Sequence, residues 1–444
     1  MLPWFRLPLN QRLFPVMLPS VMPAAGSLNH SRPPLILVAA SARSLAESAA
    51  AAGFTVLAVD CFQDQDLVEF LVAAGGRYLG RLTTFSDLPR ILEHIPVSIP
   101  LLWAGGLENQ RGILRQISHK RPLAGLPLTA VEILRSPLAL AAALGTDGPV
   151  SCPECLFDQF PTDGRWLWKS SESSGGLGVQ RLTPEFQIQL NADTRRPRGY
   201  FQQELDGLPV SAIACCDGHG TSVVGMTLQW SGWPELGAEN FRFCGNLGPL
   251  TVPPRLIAAV QSAAAALFNR AGNPRGVLGL DMLLTPDRCW LLEVNPRIPA
   301  SAWIYEAAAA PNAWNAVRWL VPADSMESHK DACFEVSSRA PLPLRSQLIL
   351  WSRQKLIAPD LPELSASLPA GARLADRPAS GSPIPPHSPV CSVLCEGENV
   401  PQMIAAVDQL PAGLMSAVDL NARQIAGRIA HHWQTWLELA HAWG

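Results

Sequence analysis

The segment Gly276 to Arg297, GVLGLDMLLTPDRCWLLEVNPR, constrains this chain more tightly than any other. Leu278 to Leu284 reads as an apolar strand holding one acid, Asp281, and Cys289 to Val294 reads as a second strand ending at Glu293 and Asn295. Between them TPDR, Thr285 to Arg288, carries the Pro and Asp signals of a turn, so the two runs fold back as a hairpin. Folding about that turn sets Asp281 opposite Glu293. An unpaired carboxylate inside an apolar strand is costly or becomes neutral, so Asp281 needs a cation or a partner such as Arg297. Acids at the solvated ends of a hairpin would be the bland alternative. The apolar flanks of Asp281 favour a site in which Asp281, Glu293 and Asn295 offer oxygens to a hard divalent ion: Mg²⁺ first, with Mn²⁺ compatible. Magnesium held this way implies phosphate.

Upstream, Trp166 to Arg181 reads WLWKSSESSGGLGVQR, an apolar strand ending in Lys169, a Ser/Gly loop and a return strand from Val179. Gly175, Gly176 and Gly178 allow positive φ and close backbone approach, so N–H groups can face phosphate oxygens beside the Lys169 charge. By itself this loop also fits an ordinary glycine-rich hairpin turn. It is not a P-loop, because no Lys-Ser/Thr follows the glycines, and it lacks the GxGxxG spacing. A third segment, Tyr200 to Ala212 (YFQQELDGLPVSA), has a polar QQE step and a turn at Asp206 and Gly207.

Taken in order, the lysine strand, glycine loop, QQELDG hinge and acidic hairpin resemble the ATP-grasp superfamily. WAGGLEN, LPLTAVEILRSPLALAAAL, GNLGP and ADRPASGSPI add a likeness to the predicted ATP-grasp carboligase group related to biotin carboxylase. The resemblance covers about Pro34 to Trp433. It implies ATP between two α+β lobes, with Lys169 on the phosphates and Gln203, Glu204, Leu205 and Asp206 around adenine. It also implies Mg²⁺ on Asp281, Glu293 and Asn295, and Arg297 orienting an acylphosphate or acceptor. Where many such enzymes carry a second phosphate lysine, this chain offers Arg135, which keeps the charge but presents it as a planar fork. An exposed helix arginine is the competing reading. Leu208, Pro209 and Val210 follow the hinge where several relatives have a ribose-binding acid, so ribose recognition stays unassigned.

The expected architecture is α/β and α+β. Residues 34–128 form a Rossmann-like pre-ATP-grasp domain (strand LILVAA, helix ARSLAESAAAAG, strand FTVLAVD), and 129–326 a two-lobed ATP-grasp domain. Residues 327–444 form a small β-rich C-terminal domain with strands near Arg345 to Trp351 and Pro389 to Cys395. It ends in a helix from about Ala417 to Trp443, whose tryptophans 433, 436 and 443 are expected to pack on the body. Residues 1–33, punctuated by proline, read as a disordered extension; a start at Met17 or Met22 also fits, whereas export fits poorly. Formal net charge is −3 and basic residues are not interleaved with aromatics, which argues against a nucleic-acid platform. No uncharged apolar run reaches the roughly 20 residues of a membrane span, so no membrane partner is expected, and the ATP-dependent site that the resemblance implies belongs in the cytoplasm. The lone CPEC at Cys152 to Cys155 has no second pair at zinc-finger spacing, and the other cysteines read as reduced and largely buried. Oligomeric state is not legible, and a homo-oligomer is compatible with the chain.

These readings lead to an ATP-dependent ligase whose substrates are a small carboxylate and an amine, or a thiol, joined through an acylphosphate. The alternatives are a component that activates bicarbonate and a non-catalytic nucleotide-binding protein. Glu108, Asn109 and Asn246 are candidate substrate contacts.

Overall fold

The computed structural model describes residues 32–157, 159–192, 198–306, 314–321 and 342–444. The extension over 1–33 falls outside these except for its last two residues, as does the expected boundary at 326/327. The fold is mixed α/β. A parallel five-stranded sheet runs in the order Arg77–Arg81, Thr55–Asp60, Pro34–Val38, Leu101–Trp103, Leu123–Ala124. Alternate residues of Pro34–Val38 enter two different cores, Ile36 and Val38 one, Leu35 and Leu37 the other. Burial on both faces explains why this strand is apolar throughout rather than alternating.

A small antiparallel sheet holds the lysine strand Trp166–Ser170 between the hinge strand Gly199–Gln203 and the return strand Val179–Arg181. Its own core is Trp166, Trp168, Leu190 and Phe201. The third unit is a nine-stranded sheet with the acidic hairpin, Gly276–Leu284 and Cys289–Asn295, near one edge. The β-rich C-terminal segment extends this sheet, since Arg345 to Leu348 pair with Gly245 to Gly248, and Pro389–Gly397 and Ala372–Ala375 follow outward. One face of the large sheet is sealed by the helices Pro254–Arg270, Val400–Asp408 and Ala422–Trp443. The terminal tryptophans pack as expected: Trp436 and Trp443 are buried, and Trp443 Nε1 donates to the Thr285 carbonyl in the acidic hairpin's turn at 2.8 Å.

Two helices differ from the sequence reading. The last one starts at Ala422, because Asp419 adopts positive φ and the Asn421 side chain caps the new helix by accepting from Gln424 N–H. The region LPLTAVEILRSPLALAAAL divides into Leu128–Leu134 and Pro137–Leu144. Pro137 cannot continue the first helix, and Ser136 caps the second by accepting from Ala139 N–H. Arg135 sits in that break. Among the described residues no helix is long and apolar enough to cross a membrane, and the nine described cysteines are free.

Candidate active site

The hairpin register is the one the sequence predicts, with Asp281 directly across from Glu293. Beyond that pair the ladder slips: Met282 meets Leu291, leaving Leu292 as the extra residue of a bulge. The Leu292 carbonyl turns to the small sheet, accepting from Gln202 Nε2 at 3.1 Å and Lys169 Nζ at 3.4 Å. A bulge created by one residue thus joins the lysine strand to the acids. Gln202, one position before the predicted hinge residues, also accepts from Lys169 Nζ at 3.2 Å. Sequence reading missed it; its place inside an apolar strand was the available signal.

Lys169 is buried, and its ammonium lies 3.9 Å from Glu293 Oε2. Burial pulls its pKa down, but Tyr200 and Glu293 outweigh this and hold it above the ordinary lysine value. Arg135 reaches the same carboxylate oxygen, also at 3.9 Å, and donates to Asn109 Oδ1 and the Ser173 carbonyl, both at 3.2 Å. Arg135 therefore shares a carboxylate oxygen with Lys169 and holds the glycine loop as well. Burial pushes Glu293 up, yet Lys169, Arg135 and Arg297 keep it below the usual glutamate range. Asp281 behaves oppositely: burial and the facing Glu293 push it up to about 6.

Asp281 Oδ1 accepts from Ser211 Oγ at 3.1 Å, and its Oδ2 accepts from Asn295 Nδ2 at 2.8 Å. Asn295 turns its oxygen to Arg297 Nη2, 3.2 Å away. The amide is therefore a donor to the acids in this arrangement, and an oxygen ligand arises once it turns over about its terminal bond. No cluster of three or more His, Cys, Asp or Glu side chains suited to a metal occurs among the described residues. The donor set here is two carboxylates and an amide, chemistry that suits Mg²⁺ completed by phosphate and water. Two of its acids already share a desolvated space that a cation would relieve.

Arg297 is anchored from the parallel-sheet side. Its Nε donates to Glu108 Oε1 at 2.9 Å, and Glu108 is fully buried and also accepts from Gly106 N–H at 2.6 Å. Burial pushes Glu108 up, but Arg297 and Arg135 more than offset it, so the carboxylate stays charged. Glu108 and Asn109, expected as substrate contacts, are hydrogen-bonded to Arg297 and Arg135.

The glycine loop is folded down. Phe243 N–H donates to the Gly175 carbonyl at 3.1 Å. Gly175 and Gly176 have φ of 63° and 75°, whereas Gly178 serves by its size, since a Cβ there would lie 2.3 Å from Ser173 Oγ. A Cβ on Gly176 would lie 1.7 Å from the Phe241 carbonyl oxygen. Gly176→Ala is expected to expel the loop from this seat, raising the apparent KM for ATP about tenfold, roughly 1.4 kcal/mol, and opening the loop to proteases. Unchanged ATP kinetics and an unchanged cleavage pattern would contradict that role. In the hinge, the N–H groups of Gln203 and Glu204 donate to the Glu154 and Arg165 carbonyls, at 2.9 and 2.8 Å. Glu204 pairs with Arg181 at 2.8 Å, and the exposed Asp206 with Arg165.

Residues 139–301 match the family model described as the ATP-grasp domain. N5-carboxyaminoimidazole ribonucleotide synthetase from Thermus thermophilus shares the fold at a TM-score of 0.59 and 16% identity, over 86% of this chain and 98% of that one. Biotin carboxylase from Campylobacter jejuni gives a TM-score of 0.59 at 12% identity, over 86% and 92% of the two chains. L-amino acid ligase from Bacillus licheniformis gives 0.59 at 13%, over 84% and 95%. A comparison with curated protein sequences finds no match.

Proposed function

From an ATP-grasp protein related in fold to biotin carboxylase, we infer an ATP-dependent ligase that activates a carboxylate for attack by an amine. One observation carries this reading: Lys169 and Arg135, from two distant segments, both stand 3.9 Å from Glu293, whose neighbours are Asp281, Asn295 and Arg297. A buried lysine and a partly buried arginine facing a paired-acid cation site form a cradle for a polyphosphate tail. Bound at Asp281, Glu293 and a turned Asn295, Mg²⁺, or Mn²⁺ in its stead, would supply neutralisation of the phosphate charge. ATP lies between the hinge residues Gln203 to Asp206 and the Lys169 strand.

The chain's own groups account for the rest. Lys169 and Arg135 orient the terminal phosphoryl group and stabilise the charge that spreads over its oxygens. A substrate carboxylate oxygen attacks that phosphorus and the bond to the ADP oxygen breaks, giving an acylphosphate. An amine nitrogen then attacks the acyl carbon, the carbon–oxygen bond breaks, inorganic phosphate leaves and the nitrogen loses a proton. Arg297, fixed by Glu108, faces the oxyanion that forms in this second step. The glycine loop, seated on Phe241 and Phe243, excludes water that would hydrolyse the acylphosphate.

Bicarbonate activation is the second reading, favoured by fold neighbours that include biotin carboxylase and a carboxyaminoimidazole synthetase. The two separate in a metabolite-library screen for ATP-dependent phosphate release, with mass spectrometry of the product. Release that requires an added amine is the expected result, and it should vanish in Lys169→Ala. Release that requires bicarbonate alone replaces ligation with carboxylation. ATP binding without turnover on any acid, amine or bicarbonate overturns both.

A further inference from the structure

The face of the large sheet opposite the sealing helices carries a polar row in two staggered segments of directly paired register positions. Glu293 pairs with Asp281, Asp281 with Ser211, and Ser211 with Thr227. The second segment is displaced by two residues along the strands, which keeps it on the same face: Gln229 pairs with Asn246 and Asn246 with Gln347. Side chains at directly paired positions project to the same side, so the row leads away from the acids from strand to strand, at about 4.8 Å per strand. Its two ends are satisfied: Ser211 donates to Asp281, and Gln347 Nε2 donates to Ser392 Oγ at 3.1 Å. Its middle is not. Thr227 Oγ1, Gln229 Oε1 and both polar atoms of Asn246 are shielded from solvent and have no hydrogen-bond partner. Thr227 and Asn246 are each only 1% exposed.

Four unpaired polar atoms side by side in a desolvated place are expensive unless something binds there, because each loses its water without replacement. Their position selects what binds. Thr227 lies two strand spacings from Asp281, and Asn246 three spacings and two residues along the strand, about 10 and 16 Å, which is beyond the acids yet within the length of one organic substrate. The row's charge selects further. It contains no lysine or arginine, and Arg345, on the same face, is committed to Glu396 and to the carbonyls of Trp303, Ile304 and Glu306. Among the described residues the row itself offers a phosphate or sulfate no counter-charge. Asn246 offers a donor and an acceptor, Thr227 a hydroxyl and Gln229 an acceptor, a set that matches carboxamide, ureido or hydroxyl groups. The short helix Ala302–Tyr305 closes this face: the Tyr305 ring occupies the space beside Gly225, and its hydroxyl donates to the Met226 carbonyl.

We propose that Thr227, Gln229 and Asn246 are the specificity floor of the organic-substrate pocket and select a non-phosphorylated substrate bearing carboxamide or hydroxyl groups. The proposal rests on the ligase reading for the purpose of the pocket, but its test does not need turnover. Binding to the full-length protein with Mg²⁺ and ADP would be measured by calorimetry with two probe sets. One is glutamine, asparagine, serine and homoserine; the other is phosphoserine, glucosamine 6-phosphate and aminoimidazole ribonucleotide. Wild-type protein is expected to bind members of the first set. Asn246→Leu should weaken that binding tenfold or more, with the ADP affinity unchanged as the check on folding. Thr227→Val, which keeps the shape and removes only the hydroxyl, should weaken it severalfold if Asn246→Leu proves unstable. Binding confined to the phosphorylated set, no binding from the first set, or equal affinity in the variants would overturn the proposal and assign these atoms to enclosed water. Loss of first-set binding in the variants combined with no phosphate release on any substrate would leave the floor standing and remove the ligase reading instead.

Discussion

Glu293→Gln is expected to abolish phosphate release, lowering kcat by about a thousandfold or more, roughly 4 kcal/mol of transition-state stabilisation. The glutamine keeps the size of the side chain and one acceptor oxygen but removes the charge that Lys169 and Arg135 both face at 3.9 Å. It also leaves Asp281 as the only carboxylate of the pair, so a divalent ion loses half of its charged donors. The fold should survive. The Glu293 side chain is 29% exposed, and the backbone bulge at Leu292 that joins the two sheets does not depend on its charge. Steady-state phosphate release beside a thermal melt reads both parts. Wild-type activity in this variant would remove the whole site assignment, whereas loss of activity with loss of cooperative melting would show only a folding role.

The second large effect is expected at Glu108→Ala. It strands Arg297 in a place where that guanidinium has, among the described residues, one carboxylate partner within hydrogen-bond reach and is itself mostly buried, 14% exposed against 0% for Glu108. Breaking a buried pair from one side leaves an uncompensated charge, at a cost of about 3–5 kcal/mol. The melt should therefore fall markedly, and turnover should fall with it because Arg297 loses the anchor that aims it. Glu108→Gln separates the two effects: an amide oxygen still accepts from Arg297 Nε, so most stability should return while kcat stays depressed. If Glu108→Gln matched wild type in kcat, Arg297 would need no charged anchor and its role as an aimed cation would be wrong.

How much of this was legible beforehand follows from the range of each interaction. The acidic hairpin, the lysine strand with its glycine loop, and the strand–helix–strand opening were all readable. Each is held by neighbours within about 20 residues, where alternation and turn residues report directly on geometry. The Asp281–Glu293 register is the clearest case, because one short turn sets it. Arg135 could be named as a departure from a lysine but not placed. Its position depends on a helix break at Pro137 and on Ser173 and Glu293 folding back to meet it. The pairing of Glu108 with Arg297 was not readable, since the two are 189 residues apart and nothing local marks it.

Composition, periodicity and turn chemistry, all read along the chain, by themselves determined the strands, the hairpin and the acids at its centre. Only the tertiary structure decided which distant cations face those acids, that the bulge at Leu292 carries Lys169 to them, and that Thr227, Gln229 and Asn246 line up in one row. The reason is physical: local backbone geometry propagates over one turn or one strand. The contacts that build the site close loops of tens to hundreds of residues, and packing of whole sheets selects them.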